Sequence, residues 1–283
     1  MTGKTGTLFI VATPIGNLAD LSRRATDVLS SVAVIAVEDS RHSGRLLDHL
    51  GISKPLIAFH EHNERERFPA LLERLRAGDD IALISDAGTP LISDPGYVLV
   101  QQARQAGFTV SPIPGACAVI AALSASGLPT DRFQFNGFLP AKSGGRKKVL
   151  ESLARDQATL VFYEAPHRIL ASMADVVDVF GTERLVVVAR ELTKSFETFY
   201  SGSAADVLAQ LEADPYAAKG ELVMMIQGAV AEANEPSIEV DKLLRLLGDA
   251  LPVKKAAQIT AEVSGLPKNE LYRRLLEMKD DNA

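Results

Sequence analysis

The sequence contains no tryptophan and a single cysteine, Cys117. One thiol can close no intrachain disulfide and build no cysteine-based zinc centre, which fits a reducing compartment and makes the cytoplasm the expected location. Long hydrophobic runs are missing as well. The longest, residues 32–37 and 115–125, fall short of the roughly 18 apolar residues that suggest a membrane span. Residues 8–12, behind Met1 to Lys4, are too short for a signal peptide. Neither insertion nor export is expected. Charge of one sign is not in large excess either: 30 Lys and Arg stand against 36 Asp and Glu, a net charge of −6. Bulk electrostatics therefore offer no general attraction to nucleic acid or anionic membrane, and such a partner must meet a local patch. The three-glycine dinucleotide fingerprint is absent after the first strand, as is the complete phosphate loop G-x-x-x-x-G-K-S/T, so a nicotinamide cofactor and nucleoside triphosphate hydrolysis are disfavoured.

What is present is the composition of a globular protein: 283 residues, 47% hydrophobic and 23% charged, long enough for two domains with a small appendage. Short β-branched runs recur at residues 8–12, 32–37, 81–84, 109–113, 159–163, 185–189 and 222–227 and read as buried strands. Helical patterns alternate with them, as at Phe68, Leu71, Leu72 and Leu75, with Pro69 suited to a first turn and Gly78 to a stop. Continuous apolar strands buried on both faces argue for α/β layers with a largely parallel sheet. Pro112-Ile113-Pro114-Gly115 cannot continue a central strand, which sets the expected domains at 1–113 and 114–230. Residues 231–237 read as a linker. Residues 237–279 carry leucine and alanine patterns for three short helices separated by Leu251-Pro252 and Gly265-Leu266-Pro267. That segment resembles a helix-turn-helix module, and a packing or dimerisation appendage fits the same pattern.

Several strand ends carry chemistry. The first strand runs into Thr13-Pro14-Ile15-Gly16-Asn17-Leu18, at the carboxyl edge where open α/β sheets place ligands. After the strand at 81–84 come Ser85-Asp86-Ala87-Gly88-Thr89-Pro90 and Ser93-Asp94-Pro95-Gly96, small and acidic residues that leave backbone open to a ligand. Asp86 can accept hydrogen bonds from hydroxyl or ammonium groups. Pro114-Gly115-Ala116 would let a flat ring approach the backbone. Each of these is also what a simple tight connection looks like. Charged groups end three other strands: Glu38-Asp39-Ser40-Arg41-His42, Tyr163-Glu164-Ala165-Pro166-His167-Arg168 and Arg190-Glu191-Leu192-Thr193-Lys194. Converging, they would line one cleft with proton acceptors and anion-holding arginines, while any one alone is an ordinary ion pair. His60-Glu61-His62 with Glu64 is read as a solvated stretch, and no metal is expected. Lys142, Arg146, Lys147 and Lys148 crowd around Gly144-Gly145 and form the best local candidate for nucleic-acid backbone contact. Phe133, Phe135 and Phe138 ahead of them fit strand core. Lys254, Lys255, Lys268, Arg273 and Arg274 can extend the basic surface, though neighbouring acids offset them.

Taken in order, these blocks resemble the tetrapyrrole methylase superfamily, in particular its ribosomal RNA branch, over nearly the whole chain. Where tetrapyrrole enzymes carry Gly-x-Gly-Pro-Gly after the first strand, this chain has Thr13-Pro14-Ile15-Gly16-Asn17, which favours RNA over a corrin or porphyrin. The resemblance implies two α/β domains of tetrapyrrole methylase type with S-adenosylmethionine between them, a C-terminal helix-turn-helix-like segment, and a homodimer. It further implies methyl transfer to the ribose 2′-hydroxyl of a cytidine in small-subunit (16S) ribosomal RNA, without membrane or metal. On that basis Pro14, Gly16, Asp86, Ala87, Gly88, Pro114, Ala116, Tyr163, Ala165 and Arg190 are expected at the cofactor. Glu38, Asp39 and Glu164, with His42 behind them, are the candidate proton acceptors. Arg41, Lys142, Arg146, Lys147 and Arg168 are the candidate RNA contacts. The alternatives are a small-molecule methyltransferase on the same scaffold and a non-catalytic ribosome-assembly factor.

Overall fold

A computed structural model describes residues 5–60, 63–230 and 238–280. The chain forms two compact units, Met1–Ala229 and Val230–Ala283. The first begins with strands β1 (Thr7–Val11), β2 (Val34–Val37), β3 (Leu56–Ala58), β4 (Ile81–Ile84) and β5 (Thr109–Ile113), interleaved with helices α1 (Arg23–Ser31), α2 (Ser40–His49), α3 (Glu64–Arg76) and α4 (Tyr97–Gln105). The strands pair in the order β3-β2-β4-β1-β5, and every pairing is parallel. Both β2 and β4 are buried along their whole length, as inner strands covered by helices on both faces must be. The edges go to the short β3 and to β5, whose Pro112 has no N–H for a further ladder. Helix α3 starts at Glu64 rather than near Phe68, so Pro69 lies inside it. The extra turn serves the next helix: the Glu64 carboxylate accepts the N–H groups of Val98 (2.9 Å) and Leu99 (3.3 Å) at the start of α4, donors that no intrahelical carbonyl can satisfy.

The second half contains α5 (Ala118–Ser126), β6 (Phe133–Phe138), α6 (Ser143–Leu153), β7 (Thr159–Glu164), α7 (Ile169–Phe180), β8 (Leu185–Arg190), β9 (Thr198–Ser203), α8 (Ala204–Ala213) and β10 (Leu222–Ile226). Its sheet runs β6-β7-β10-β8-β9 and is mixed. Only β6 and β7 pair in parallel; β10 is antiparallel to both β7 and β8, and β9 is antiparallel to β8. This corrects the expectation of a largely parallel sheet here. Residues 191–197, between β8 and β9, are too few for a parallel crossover, so the chain turns back. After β9 it passes through α8 and inserts β10 between β7 and β8. A continuous apolar run reports burial on both faces and says nothing of direction, which is why the pattern could not show the reversal.

Two facts fix the site. Leu222 of β10 pairs with Glu164 at the end of β7 and with Arg190 at the end of β8, so the amino end of β10 lies at the carboxyl edge of its neighbours. An apolar cluster then joins Ile15, in the turn after β1, to Val119 and Leu123 of α5 and to Val161, Val187 and Val223 of the second sheet.

The second unit consists of α9 (Ile238–Ala250), α10 (Val253–Ser264) and α11 (Lys268–Asp280) around Leu244, Ala256, Ala257, Leu271 and Leu275. A Cβ on Gly248 would fall 2.5 Å from Leu275 Cδ1, so glycine permits close approach of α9 and α11. Leu246 and Val263 are exposed. Among the described residues no helix is long and apolar enough to cross a membrane.

Strand β9 passes into α8 at Ser203, whose hydroxyl accepts the Asp206 N–H while the Asp206 carboxylate reaches back in a complete capping box. Ser203→Ala should cost about 1 kcal/mol of unfolding free energy, read as a lowered urea midpoint.

Candidate active site

The turns after the parallel strands are stitched together by backbone. Thr13 and Gly88 exchange two hydrogen bonds, Thr13 N–H to the Gly88 carbonyl at 2.9 Å and the reverse at 3.1 Å, and the buried Thr13 hydroxyl donates to the Ser85 carbonyl at 3.2 Å. The Thr89 hydroxyl donates to the Ala116 carbonyl at 2.9 Å, which ties the segment after β5 to the same loop. Asp86 accepts the Asp39 N–H at 3.2 Å, which ties in the end of β2. Gly88 has a φ of 85°, a region that a Cβ disfavours.

These loops face the second sheet across a cavity of about 490 Å³. The first half contributes Ile15, Glu38, residues 86–89 and residues 92–94; the second contributes Phe138, residues 163–166, Leu192 and residues 220–223, with Cys117 and Ala118 between them. The four non-glycine residues with positive φ among those described are Leu91 (73°), Ser93 (68°), Glu191 (51°) and Thr193 (63°). They occupy two loops, both of which reach this cavity through Ser93 and Leu192. Strain of this kind persists only where the surroundings enforce it, and it gathers at ligand sites.

The two walls differ in charge. On the second-half wall the acids are neutralised: Glu164 accepts from Arg168 (2.8 Å) and from the Ser172 hydroxyl (2.6 Å). Lys194 reaches both Glu191 (2.9 Å) and Glu221 (3.2 Å). On the first-half wall, Glu38, Asp86 and Asp94 have no Lys or Arg partner among the described residues, and the cavity lining includes no Lys, Arg or His. Burial and the Asp86 charge raise the Glu38 carboxyl above its ordinary range, against the Asp86 N–H and the nearby His60, which lower it. Burial pushes Asp94 up to about 6, the Ser85 hydroxyl opposing and Glu38 and Asp86 reinforcing it. Burial likewise keeps the Tyr163 phenol protonated well above neutrality. Such a wall repels pyrophosphate and attracts a cation, and the apolar remainder suits a flat ring.

The family description Tetrapyrrole (Corrin/Porphyrin) Methylases matches residues 7–208, and RsmI C-terminal HTH domain matches residues 234–279. The chain is 55% identical to ribosomal RNA small subunit methyltransferase I of Pseudomonas aeruginosa, covering 96% of this chain and 97% of the relative. To the protein of that name from Pasteurella multocida it is 53% identical, over 98% and 99%. The chain belongs to the tetrapyrrole methylases, in the ribosomal RNA small subunit methyltransferase I family. Among solved structures, the methyltransferase CobJ superposes with a TM-score of 0.59 at 19% identity, over 82% of this chain and 98% of that one. Uroporphyrin-III-C-methyltransferase from Thermus thermophilus gives 0.53 at 22%, over 78% and 94%. At those identities the likeness shows the tetrapyrrole methylase fold.

Within this family member the expected site residues separate. Asp86, Ala87, Gly88, Tyr163 and Ala165 line the cavity, as do Glu38 and Glu164. Pro14, Gly16, Pro114 and Ala116 are not part of that lining, and Gly16 and Pro114 are exposed; a Cβ on Gly16 would lie 2.4 Å from Lys194 Cγ, so this glycine lets the lysine cross the turn. Arg190 is buried away from the cavity, its guanidinium donating to Thr198 Oγ1 (3.1 Å) and the Tyr216 carbonyl (3.4 Å). Asp39 caps α2 and pairs with the exposed Arg41 at 3.1 Å, and His42 lies exposed on α2. The basic cluster divides too. Lys142 and Lys148 are exposed, and Lys147 pairs with Asp178. Arg146, expected to touch RNA, is instead buried between α6 and α7, where it donates to Asp175 (2.6 Å) and to the carbonyl of Ala171 (3.3 Å). Glu61 and His62 lie outside the described residues, and no metal-holding group of three or more His, Cys, Asp or Glu occurs among those described. Sequence reasoning missed Asp94 as a site residue, although its loop was singled out. It also missed residues 220–223, which have no signal of their own because only the strand reversal brings them to the cavity.

Arg146→Met should lower unfolding free energy by about 3 kcal/mol, because it strands a buried carboxylate, and adding Asp175→Leu should restore most of the urea midpoint. An RNA-contact role would leave the midpoint unchanged.

Proposed function

We propose that this chain transfers a methyl group from S-adenosylmethionine to the ribose 2′-hydroxyl of a cytidine in small-subunit (16S) ribosomal RNA. The observation that supports this reading is the carboxylate wall of Glu38, Asp86 and Asp94 facing an apolar, partly strained cavity without a basic residue in its lining. That donor set suits a cation carrying an adenosine. It fits neither a nucleoside polyphosphate nor a dinucleotide. Asp86, Ala87 and Gly88, with Tyr163 and Ala165 opposite, would hold the cofactor, and Pro14, Gly16, Pro114 and Ala116 would shape the backbone behind them. When bound, S-adenosylmethionine supplies a methyl group activated by an adjacent sulfonium.

The protein's part is alignment and exclusion of water. A carboxylate acting on the amino-acid end of the cofactor adds affinity evenly across the reaction, whereas one held against sulfur resists the loss of positive charge there. The ribose hydroxyl is a weak nucleophile at neutral pH, so an acceptor for its proton is required beside it. Lys142 and Lys148 are exposed and can meet phosphates, whereas Arg41, though exposed, is paired with Asp39, and Arg168 is tied to Glu164. An RNA substrate of this kind puts the work in the cytoplasm, and two copies of the chain form the expected assembly.

The test is to incubate the purified protein with S-adenosylmethionine and small ribosomal subunits from cells lacking it, then map 2′-O-methylation. One new 2′-O-methylcytidine in 16S RNA is expected; methylation of a precursor corrin and not of RNA would overturn the reading. Asp86→Asn, which keeps an acceptor for Asp39 N–H but removes the charge, should weaken cofactor binding about tenfold by calorimetry, or roughly 1.4 kcal/mol.

A further inference from the structure

Beside the cavity lies a second hollow of about 510 Å³, lined by His60, Glu64, Pro95, Gly96 and Tyr97. It shares three residues with the first cavity: Glu38, Ser93 and Asp94. Methyl transfer needs donor carbon and acceptor oxygen about 3–3.5 Å apart and in line, so two adjoining spaces can serve it only where they meet. The shared residues mark that place. We propose that the second hollow receives the acceptor sugar and that Asp94 takes the proton of its 2′-hydroxyl, an assignment that rests on the methyl-transfer reading above.

Of the two shared carboxylates, Asp94 is the better placed. The Asp86 N–H, a backbone group fixed in direction, and His60 hold the Glu38 carboxyl down, whereas only the Ser85 hydroxyl, which also donates to the Gly88 carbonyl at 3.5 Å, opposes the rise of Asp94. Backbone strain also surrounds Asp94: Leu91 and Ser93 have φ of 73° and 68°, Pro95 follows, and Gly96 has φ of 126°. The chain is thus held in a costly conformation that presents this side chain at the junction. A carboxyl near 6 is ionised at neutral pH and more basic than an exposed aspartate, as a general base requires. The titratable groups of the two linings are Glu38 after β2, His60 after β3, Glu64 at the start of α3, Asp86 after β4, Tyr97 of α4 and Cys117 before α5, with Tyr163 and Glu164 of β7 and Glu221 before β10 on the opposite wall. Glu64 is committed to the N–H groups of α4. Acids on both sides of the hollow repel phosphate, so a sugar edge enters while its phosphates stay outside, and the exposed Tyr97 ring offers a surface for stacking a base.

In the step, the 2′-oxygen forms its bond to the methyl carbon as the O–H proton passes to an Asp94 carboxylate oxygen. The methyl–sulfur bond breaks with its electron pair left on sulfur, and the proton later leaves Asp94 for water.

The experiment uses the full chain and small ribosomal subunits. Single-turnover rates at saturating cofactor are followed from pH 5 to 8 beside calorimetry of cofactor binding. The wild-type rate should fall at low pH with an apparent pKa at or below about 6, because the proton acceptor is lost as Asp94 protonates. Asp94→Asn should lose about 100-fold or more in rate and lose that acid limb, while cofactor affinity changes less than about tenfold. Asp94→Glu should restore the limb at reduced rate. Glu38→Gln should keep it, shifted to lower pH, since one charge opposing Asp94 ionisation is gone. A wild-type-like rate or a persisting limb in Asp94→Asn overturns the assignment while the methyl-transfer reading stands. A loss confined to cofactor affinity makes Asp94 a binding residue and likewise overturns it. A wild-type protein that methylates no RNA takes both readings down.

Discussion

An apolar seam at Ile15 is the contact on which the candidate site depends. The residue sits in the turn after β1 yet shares a cluster with α5 and with Val161, Val187 and Val223 of the second sheet. The turn it occupies is locked to the loop after β4 by the paired Thr13 and Gly88 backbones. Burying one isoleucine against the far sheet, at roughly 25 cal/mol per Å² of apolar surface removed from water, therefore places two loops at once. The cavity is what the seam leaves open beside it. Gly16 and Gly88 belong to the same arrangement, one passing the Lys194 side chain and the other turning with positive φ.

Charge is sorted around that opening. Cations from the second half, Arg168 and Lys194, are used on acids of their own half; beyond burial, the Asp86 charge raises Glu38, and Glu38 and Asp86 together raise Asp94. Their cost is a property of the free protein, and a cationic ligand offsets it, so the electrostatic work of assembling three acids in one wall reappears as affinity. Strain works in the same sense. Both strained loops border the cavity, and neither carries a glycine at the residues concerned.

Much of this was readable from residue order. The strands at 81–84 and 159–163, the first wholly apolar and the second apolar after Thr159, end in loops that change abruptly to small and charged residues, so both the element and its functional edge were visible. Three helices in the C-terminal segment followed from leucine spacing and the Pro and Gly between them. Other features were hidden for physical reasons. Arg146 is one of four basic residues in a short stretch, and only the position of Asp175 on the next helix makes it a core residue while Lys142 and Lys148 remain outside. Asp94 looked like one more turn residue, and its carboxyl acquires its character first from burial, then from Glu38, distant in sequence, and from Asp86 of its own loop.

The amino-acid order alone determined the α/β class, the places where strands stop and loops open, and the family blocks that carry the resemblance, because these depend on local periodicity and on short contiguous motifs. The direction of β10, the neutralised and charged walls of the cavity, and the meeting of two hollows at Asp94 were decided only by tertiary structure. Those depend on which distant segments end up adjacent, and on interactions that decay over a few ångströms in space however far apart the partners lie along the chain.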